Sequence, residues 1–438
     1  MGYTKIIRGG WWIGLMVAAV AAPGASAGAH QRKNNAHAQL HSEKTGSLET
    51  HRGMHLRLTA TLGSVVLHAQ DAERVDYRVS VFTDSDEPDA QQLLKNFYFS
   101  ARSVPDGVLL EGHTVGNECS GRLWITFDVT IPRDYNVDVN TGGGNINAGE
   151  LRGRVVLSSA GGNIRTGDIA GPGRIQTAGG HITFGNVGGE LNAETGGGHI
   201  TGGIIKGAAT LHTSGGHIRV ASIEGVARLD TGGGNISLEN SGVALVAETG
   251  GGQIVVGQAS GIVHARNGGG GIRVVKMNGP TDLQTGAGSI YLTNVESPVR
   301  AMTGAGAITA WFGPQAKILK PCILQSGQGD IVVYLPRELP ITIDAAISLG
   351  DQNHFSADPA FPIKVSFEGE RGTGNLHATG SLNGGGEVLR LRTTAGNIRL
   401  ELCDVSKQIQ NVREQLAQLE QQLRERMLQA EKQEKDQD

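Results

Sequence analysis

Aromatic side chains and net charge are both scarce in this sequence. Only 4% of its 438 residues are Phe, Trp or Tyr, whereas 67 are glycine, and the formal net charge is −4. Few aromatic residues together with abundant glycine favour an elongated β structure over a compact sphere. The weak charge argues against a nucleic-acid partner, which would need a basic face with interleaved aromatic residues.

Long apolar runs are also missing, apart from one near the N-terminus. Lys5 and Arg8 precede the apolar run Trp11–Ala22, and Ala25-Ser26-Ala27 follows as a small-x-small cleavage site. This order predicts a secretory signal peptide over residues 1–27. No later run is long and apolar enough to span a membrane. We therefore expect an exported protein that is periplasmic, at the cell surface or secreted.

Cysteine is rare, and its three positions exclude one class of site. Cys119, Cys322 and Cys403 lie far apart and show no metal-ligand spacing, which excludes a CxxC-type site. Because their number is odd, an exported chain keeps at least one cysteine without an intramolecular partner. Cys403 is the best candidate for an intermolecular bridge, since it precedes a predicted oligomerising helix. The alternative is a buried free thiol.

What the sequence does contain is a six-residue signature, Thr/Ser-x-Gly/Ala-Gly-x-Ile, repeated with a period of 18 residues. It begins as Thr141-Gly142-Gly143-Gly144-Asn145-Ile146, and its sixth position is isoleucine in all ten copies. The first position of the later copies is Ser159, Thr177, Thr195, Thr213, Thr231, Thr249, Asn267, Thr285 and Thr303. A unit this short cannot bury an apolar face alone, so successive units must stack.

The apolar positions inside each unit have strand spacing. They fall at the sixth, eighth, eleventh, fifteenth and seventeenth positions, for example Ile218, Val220, Ile223, Ala227 and Leu229. Residues two apart face the same side of a strand, and the glycines between them turn the chain. The sequence therefore predicts an all-β fold, a β-solenoid or single-stranded β-helix of 18-residue coils over residues 141–313.

The N-terminal flank has a different pattern. Residues 28–45 show no apolar period and are predicted to be a flexible leader. Residues 46–140 show the alternation of half-buried strands, and we expect them to cap the first coil, because an uncovered edge would pair with other chains. Asp89–Asn96 is predicted to be a short helix. The expected strands contain Leu56 to Leu62, Val75 to Val81 and Leu123 to Ile131.

The C-terminal flank is predicted to contain irregular coils followed by a helix. Residues 314–403 are interpreted as wider terminal coils with a loop insertion that closes the other end. Residues 404–438 carry a heptad seam, made of Val405, Ile409, Val412, Leu416, Leu419 and Leu423. This seam predicts a coiled-coil helix and self-association of unresolved order. The alternative is that the helix folds back along the solenoid flank.

Several stretches resemble the bacterial putative-adhesin family, a domain of unknown function built from glycine-rich β-strand repeats. They are the repeats beginning Thr-Gly-Gly-Gly-Asn-Ile, the lead-in Leu123–Pro132 running into Val137–Thr141, and the ending from Leu382–Gly386 through Asn397-Ile398. The resemblance covers about residues 50–402. It implies a solenoid fold and an exported or envelope location, and it brings no catalytic residues and no cofactor. The predicted coiled coil lies outside the family pattern.

The fifth signature position is the candidate site. Stacking places its side chains in one row, which contains Asn145, Asn163, His181, His199, His217, Asn235 and Gln253. The three histidines could converge on zinc or copper. The alternative is a polar ladder in which Asn, Gln and His share one structural role, and the exchange of Asn for His favours it. We therefore expect no metal site, with His181, His199 and His217 as the only candidates.

Catalysis is the competing hypothesis, since solenoids also host polysaccharide lyases and hydrolases. The candidate charges lie at the eighteenth position, as Glu194, Asp230, Glu248 and Arg266. The repeat region lacks the long loops that would build a cleft. Nucleotide binding is excluded, because the glycine motif recurs without helices. We expect a non-catalytic adhesin or envelope scaffold that binds a surface glycan or envelope ligand.

Overall fold

The computed structural model describes residues 39–84, 90–115, 122–349, 353–369 and 374–403. The chain divides into two units, residues 1–213 and residues 214–438. The predicted signal peptide, Cys119 and the predicted coiled coil over residues 404–438 lie outside the described residues. Within the described ranges, no helix is long and apolar enough to cross a membrane.

In its described residues the first unit consists of strands and one short helix, α1 (Ala90–Lys95), which confirms the helix predicted at Asp89–Asn96. In chain order the strands are β1 (Gln39–Glu49), β2 (His55–Ala60), β3 (Ser64–Gln70), β4 (Arg74–Asp84), β5 (Phe97–Val104), β6 (Gly107–Thr114), β7 (Trp124–Pro132), β8 (Asn136–Thr141), β9 (Ile146–Ala148), β10 (Val155–Ser159), β11 (Ile164–Thr166), β12 (Gly173–Thr177), β13 (Ile182–Phe184), β14 (Leu191–Thr195), β15 (Ile200–Ile205) and β16 (Ala209–Thr213).

From β8 onward each coil contributes one strand to each of two parallel sheets. Sheet I contains the strands that end at the first signature position, and sheet II contains those that begin at the sixth-position isoleucine. Neighbouring strands pair with an offset of 18 residues, as Leu157 with Ile175 in sheet I and Ile164 with Ile182 in sheet II. The predicted all-β solenoid with 18-residue coils is thereby confirmed.

The N-terminal flank contains solenoid coils of its own. In sheet I, β2 pairs in parallel with β6 on one side and β8 on the other; in sheet II, β3 pairs in parallel with both β7 and β9. The coil made by β2 and β3 thus lies between two coils that come later in the sequence. The coil formed by β6 and β7 carries antiparallel strands: β5 pairs with β6, and β4 pairs with β7 and with β1.

The prediction of a flexible leader over residues 28–45 is wrong for residues 39–45. These residues belong to β1, which pairs with β4 along its whole length, from Gln39 opposite Asp84 to Glu49 opposite Arg74. The half-buried side of β1 places Ser42, Lys44 and Gly46 between Leu40 and Leu48, so the segment lacks the apolar period that would have revealed a strand. Pairing with β4 holds it in place.

The second unit consists of strands β17 to β35 throughout its described residues. They are β17 (Ile218–Ile223), β18 (Val226–Thr231), β19 (Ile236–Ser241), β20 (Ala244–Thr249), β21 (Ile254–Ala259), β22 (Ile262–Asn267), β23 (Ile272–Met277), β24 (Thr281–Thr285), β25 (Ile290–Val295), β26 (Val299–Ala305), β27 (Ile308–Phe312), β28 (Cys322–Gln328), β29 (Ile331–Leu335), β30 (Ile341–Ile347), β31 (Phe355–Ala357), β32 (Ile363–Glu368), β33 (Asn375–Leu382), β34 (Val388–Ala395) and β35 (Ile398–Leu402).

The second unit repeats the same two-sheet arrangement, with Leu229 paired to Ala247 in its sheet I and Ile236 to Ile254 in its sheet II. Its C-terminal end again departs from chain order. Strand β34 pairs in parallel with β28 and β30, and β35 with β29 and β31. Strand β33 then pairs antiparallel with both β30 and β32. The sequence predicted wider terminal coils with a loop insertion over residues 314–403, and the interleaving of β34 and β35 was not part of that prediction.

The core of each unit is a stack of aliphatic side chains. All ten sixth-position isoleucines are at most 1% exposed. The interior is too narrow for an aromatic ring unless a neighbour gives way. Phe184 fits because the eighth position of the next coil is Gly202, where a Cβ would lie 1.9 Å from the Phe184 ring. Such compensation keeps the coil regular around the one aromatic residue of the first unit's repeats.

Candidate functional site

The fifth-position side chains of the first unit form a continuous ladder. Asn145 Oδ1 accepts the backbone N–H of Asn163 at 2.8 Å, and Asn163 Oδ1 accepts that of His181 at 2.7 Å. His181 Nδ1 then accepts the backbone N–H of His199 at 2.9 Å. Each side chain therefore binds the main chain of the next coil at a corner where the sheet ladder is interrupted.

The second unit uses the same contact. His217 Nδ1 accepts the N–H of Asn235, and Asn235 Oδ1 accepts that of Gln253, both at 2.8 Å. Near the end of the unit, Asp330 Oδ1 accepts the N–H of Asn397 at 2.8 Å. Asn, His and Asp can replace one another because each places an acceptor atom at the same distance from the backbone. This explains the exchange of Asn for His in the repeat.

These contacts form a polar ladder, the alternative to a metal site in the sequence analysis, with one difference from that prediction. The bonds run from a side-chain acceptor to a backbone N–H, not from one side chain to its equivalent. The rings of His181 and His199 stack, with centroids 4.8 Å apart and planes inclined by 21°. Across the described part of the chain, no group of three or more His, Cys, Asp and Glu side chains could hold a metal ion. The third candidate ligand, His217, belongs to the second unit.

A polar groove of about 360 Å³ runs beside the ladder in the first unit. Its walls are the fifth-position side chains Asn145, Asn163, His181 and His199 and the seventh-position side chains Asn147, Arg165, Thr183 and Thr201. None of the residues that line it is acidic. The groove therefore presents amides, hydroxyls, imidazoles and one guanidinium.

A larger trough of about 850 Å³ lies in the second unit. Its lining includes the eighteenth-position charges Asp230, Glu248 and Arg266 and the second-position glycines. Glu248 is held between two arginines, at 3.1 Å from Arg266 and 3.5 Å from Arg228. The fourth predicted charge, Glu194, belongs to the first unit, where it accepts a hydrogen bond from Gln176 at 3.0 Å.

The first-position hydroxyls form a second ladder, which is buried. Thr231 Oγ1 donates to the carbonyl of Gly216 at 2.7 Å and accepts the N–H of Gly234 at 3.1 Å. Asn267, the one amide in this column, makes the equivalent contacts with Gly252 and Gly270. Because these hydroxyls are engaged as donors and acceptors, they stabilise the corner and are not poised as nucleophiles.

An aromatic ladder in the second unit was not predicted. Trp311 and Tyr334 stack with centroids 4.6 Å apart and planes only 3° from parallel, and Tyr291 lies 4.7 Å from Trp311. Arg273 covers the Tyr291 ring at 4.7 Å. Burial raises the pKa of the Tyr334 hydroxyl, and the nearby Glu401 carboxylate adds to the shift. The sequence signal was weak, because Tyr291 and Trp311 occupy different positions of their coils.

The two described cysteines differ in environment. Cys322 is a free thiol that is fully buried, and burial raises its pKa to about 11. Cys403 is half-buried and follows β35. The alternative of a buried free thiol therefore fits Cys322, whereas an intermolecular bridge through Cys403 remains a prediction.

Comparisons with known proteins give structural similarities alone. No family model matches the chain, and no curated protein does. A putative cell adhesion protein from Clostridium sporogenes ATCC 15579 is 10% identical, with a TM-score of 0.16, over 83% of this chain and 100% of that chain. A putative lipid binding protein from Parabacteroides distasonis ATCC 8503 is 15% identical, with a TM-score of 0.28. A putative adhesin from Bacteroides fragilis NCTC 9343 is 14% identical, with a TM-score of 0.23. Each of these two matches covers 61% of this chain and 96% of the other.

Proposed function

We propose that this chain is a non-catalytic, exported β-solenoid that binds glycans or other envelope components through its repetitive surface. One observation carries the proposal: within each unit, successive fifth-position side chains make the same contact with the next coil, which gives a repeated surface without a singular site. The contact is made by Asn145, Asn163 and His181 in the first unit and by His217 and Asn235 in the second. Such a surface suits a ligand that is itself repetitive. Export is supported by the apolar run and cleavage site over residues 1–27.

The catalytic alternative has less support. A glycosidase needs two carboxyl groups, one of which is kept protonated so that it can donate a proton. Glu248 instead accepts hydrogen bonds from both Arg228 and Arg266, so its carboxyl oxygens are already engaged. The residues that line the trough also lie on regular coils, without long loops to exclude water.

Binding and turnover can be measured with the same preparation. Purified full-length chain is incubated with envelope fractions and with a panel of polysaccharides, and both bound protein and newly formed reducing ends are quantified. We expect saturable binding without new chain ends. New chain ends or unsaturated products, in the absence of stable binding, would contradict the proposal and support an enzyme.

Self-association through residues 404–438 is part of the proposal, because multivalency strengthens weak repetitive binding. The heptad seam supports it. Deleting these residues should convert an oligomer into a monomer in light scattering while the β signal in circular dichroism stays unchanged. An unchanged mass would leave the fold-back alternative.

A further inference from the structure

The ladder of the first unit leaves a defined chemical group at the groove. Asn145, Asn163 and His181 each use their acceptor atom to bind the next coil. What remains on each side chain is a nitrogen donor, Nδ2 for the asparagines and Nε2–H for His181, whose Nδ1 is the acceptor. Within the described residues, none of these three nitrogens donates to a protein atom. The groove is therefore edged by a row of N–H donors, one on each of three successive coils.

Charge in the groove points the same way. Arg165 lies in the seventh column between Asn147 and Thr183, and it forms no ion pair with any residue that the structure describes. Since no acidic residue lines the groove, its guanidinium is available to an external anion. The trough of the second unit is the opposite case, because there Arg266 is already paired with Glu248.

We propose that this groove binds an acidic polysaccharide, with the donor row taking its ring and hydroxyl oxygens and Arg165 taking a carboxylate. A planar guanidinium binds carboxylates with two hydrogen bonds, which favours uronate-type sugars over neutral ones. The groove spans four coils, or about 14 Å between the first and last at about 4.8 Å per coil, so the ligand is an extended chain and not a single sugar. This inference rests on the proposed function and assigns it a site and a ligand class.

The test exploits the fact that asparagine and aspartate are equivalent toward the next coil. Asp330 already accepts an N–H at the fifth position, and Asp168 accepts that of Asn186 at 2.7 Å at another corner. Asn163→Asp therefore keeps the acceptor for His181 while replacing the donor by a negative charge. Asn235→Asp makes the same change in the same column of the second unit and is the matched control.

Binding of full-length protein to polygalacturonate, to neutral dextran and to polyglutamate is measured by isothermal titration calorimetry. We expect polygalacturonate to bind best, Asn163→Asp to weaken it at least about tenfold, and Asn235→Asp to change it by less than about twofold. Arg165→Gln should weaken polygalacturonate binding by about three- to tenfold and reduce its salt dependence. Thermal unfolding of all variants checks that the coils are intact.

Other results would overturn the assignment. Equal affinity of Asn163→Asp and wild type, with the Asn235→Asp control unchanged, would place the ligand elsewhere. Equal binding of polyglutamate would show that the groove reads charge alone, and preference for dextran would remove Arg165 from the interaction. Retained binding of Asn163→Asp to envelope fractions would refute this site while leaving the proposed function standing.

Discussion

The N-terminal end of the first unit and the C-terminal end of the second unit both contain an interleaved coil. At one end the coil of β2 and β3 lies between the coils of β6–β7 and β8–β9. At the other, the coil of β34 and β35 lies between those of β28–β29 and β30–β31. In each case the coil nearest the chain terminus in sequence is not the outermost coil in space.

Interleaving has a physical consequence for both ends. A coil at the end of a simple solenoid has one neighbour and can peel away, whereas an interleaved coil is hydrogen-bonded on both sides. Antiparallel strands then pair with the outer coil: β5 with β6 and β4 with β7 at one end, and β33 with β30 at the other. Covered edges cannot recruit strands from other chains. At both ends, the coil outside the interleaved one is thus paired with an antiparallel strand in sheet I.

The two ends differ in the side chains that hold the outer coil. At the N-terminal end, Phe127 is fully buried, and the rings of Phe97 and Phe99 lie 6.2 Å from it. At the C-terminal end, Asp344 on β30 accepts hydrogen bonds from Arg392 at 2.7 Å and Arg390 at 3.2 Å. The first contact is apolar and the second is ionic, so the two ends should respond differently to mutation and to pH.

The largest effect is expected from Phe127→Ala. The ring fills space left by Gly63 and Gly112, whose added Cβ atoms would lie 2.8 and 2.6 Å from it. Its removal leaves a cavity that backbone on both sides cannot close, so we expect a loss of about 3–5 kcal/mol in the free energy of unfolding of this end. Urea denaturation with amide hydrogen exchange of β2 and β3 measures it. Phe127→Leu is the control and should lose less unfolding free energy. Amide exchange of β2 and β3 at wild-type rates in Phe127→Ala would show that the rings do not hold this end.

The regular coils could be predicted from sequence because one residue type serves one role at each position. The sixth-position isoleucines and first-position threonines are buried as a repeat of period 18 requires. The interleaved N-terminal coil was missed, although it carries a degenerate signature, Ala60-Thr61-Leu62-Gly63-Ser64-Val65. Ala60 pairs with Thr141 and Val65 with Ile146, and Gly63 and Gly144 have φ values of 127° and 116°. The glycine at the fourth position of this signature, Gly63, was the usable sequence signal.

The rest could not be read from the sequence for a physical reason. Periodicity shows which residues share a face. It does not show which coils are neighbours in space when 65 residues, 71–135, separate β3 from β8 in the sequence. The row of histidines and asparagines was predicted, whereas the identity of the engaged atom was not. The engaged atom determines which group faces the groove. Because Oδ1 of asparagine or Nδ1 of histidine is engaged as the acceptor, the nitrogen donor of the same side chain is left for a ligand.

A smaller effect is expected from Thr231→Val, which tests the regular coils against the ends. Valine keeps the shape but leaves the Gly216 carbonyl and the Gly234 N–H without the Thr231 hydroxyl. We expect a loss of about 1–3 kcal/mol in the free energy of unfolding of the second unit, measured by urea denaturation. Thr231→Ser is the matched control, since Ser159 fills this position naturally with the same contacts. A Thr231→Val protein as stable as Thr231→Ser would refute the role of the hydroxyl ladder.

The smallest effect is expected from Asp344→Asn, and it should depend on pH. Burial alone would raise the pKa of Asp344, but hydrogen bonds from Arg392 and Arg390 outweigh burial and hold the pKa below its ordinary value. A carboxylate with a lowered pKa in the folded state stabilises the fold above its unfolded pKa of about 3.9, and this contribution is lost as the pH falls through the folded value.

Because the Asp344 side chain is 31% exposed, we expect Asp344→Asn to cost only about 1 kcal/mol at pH 7. The difference from wild type should shrink below about pH 4. Chemical denaturation at pH 7, 5 and 3 measures this difference in the free energy of unfolding. The control is Asp282→Asn, which removes a carboxylate from a regular coil. A difference that is constant across this range would show that the C-terminal end does not depend on the charge of Asp344.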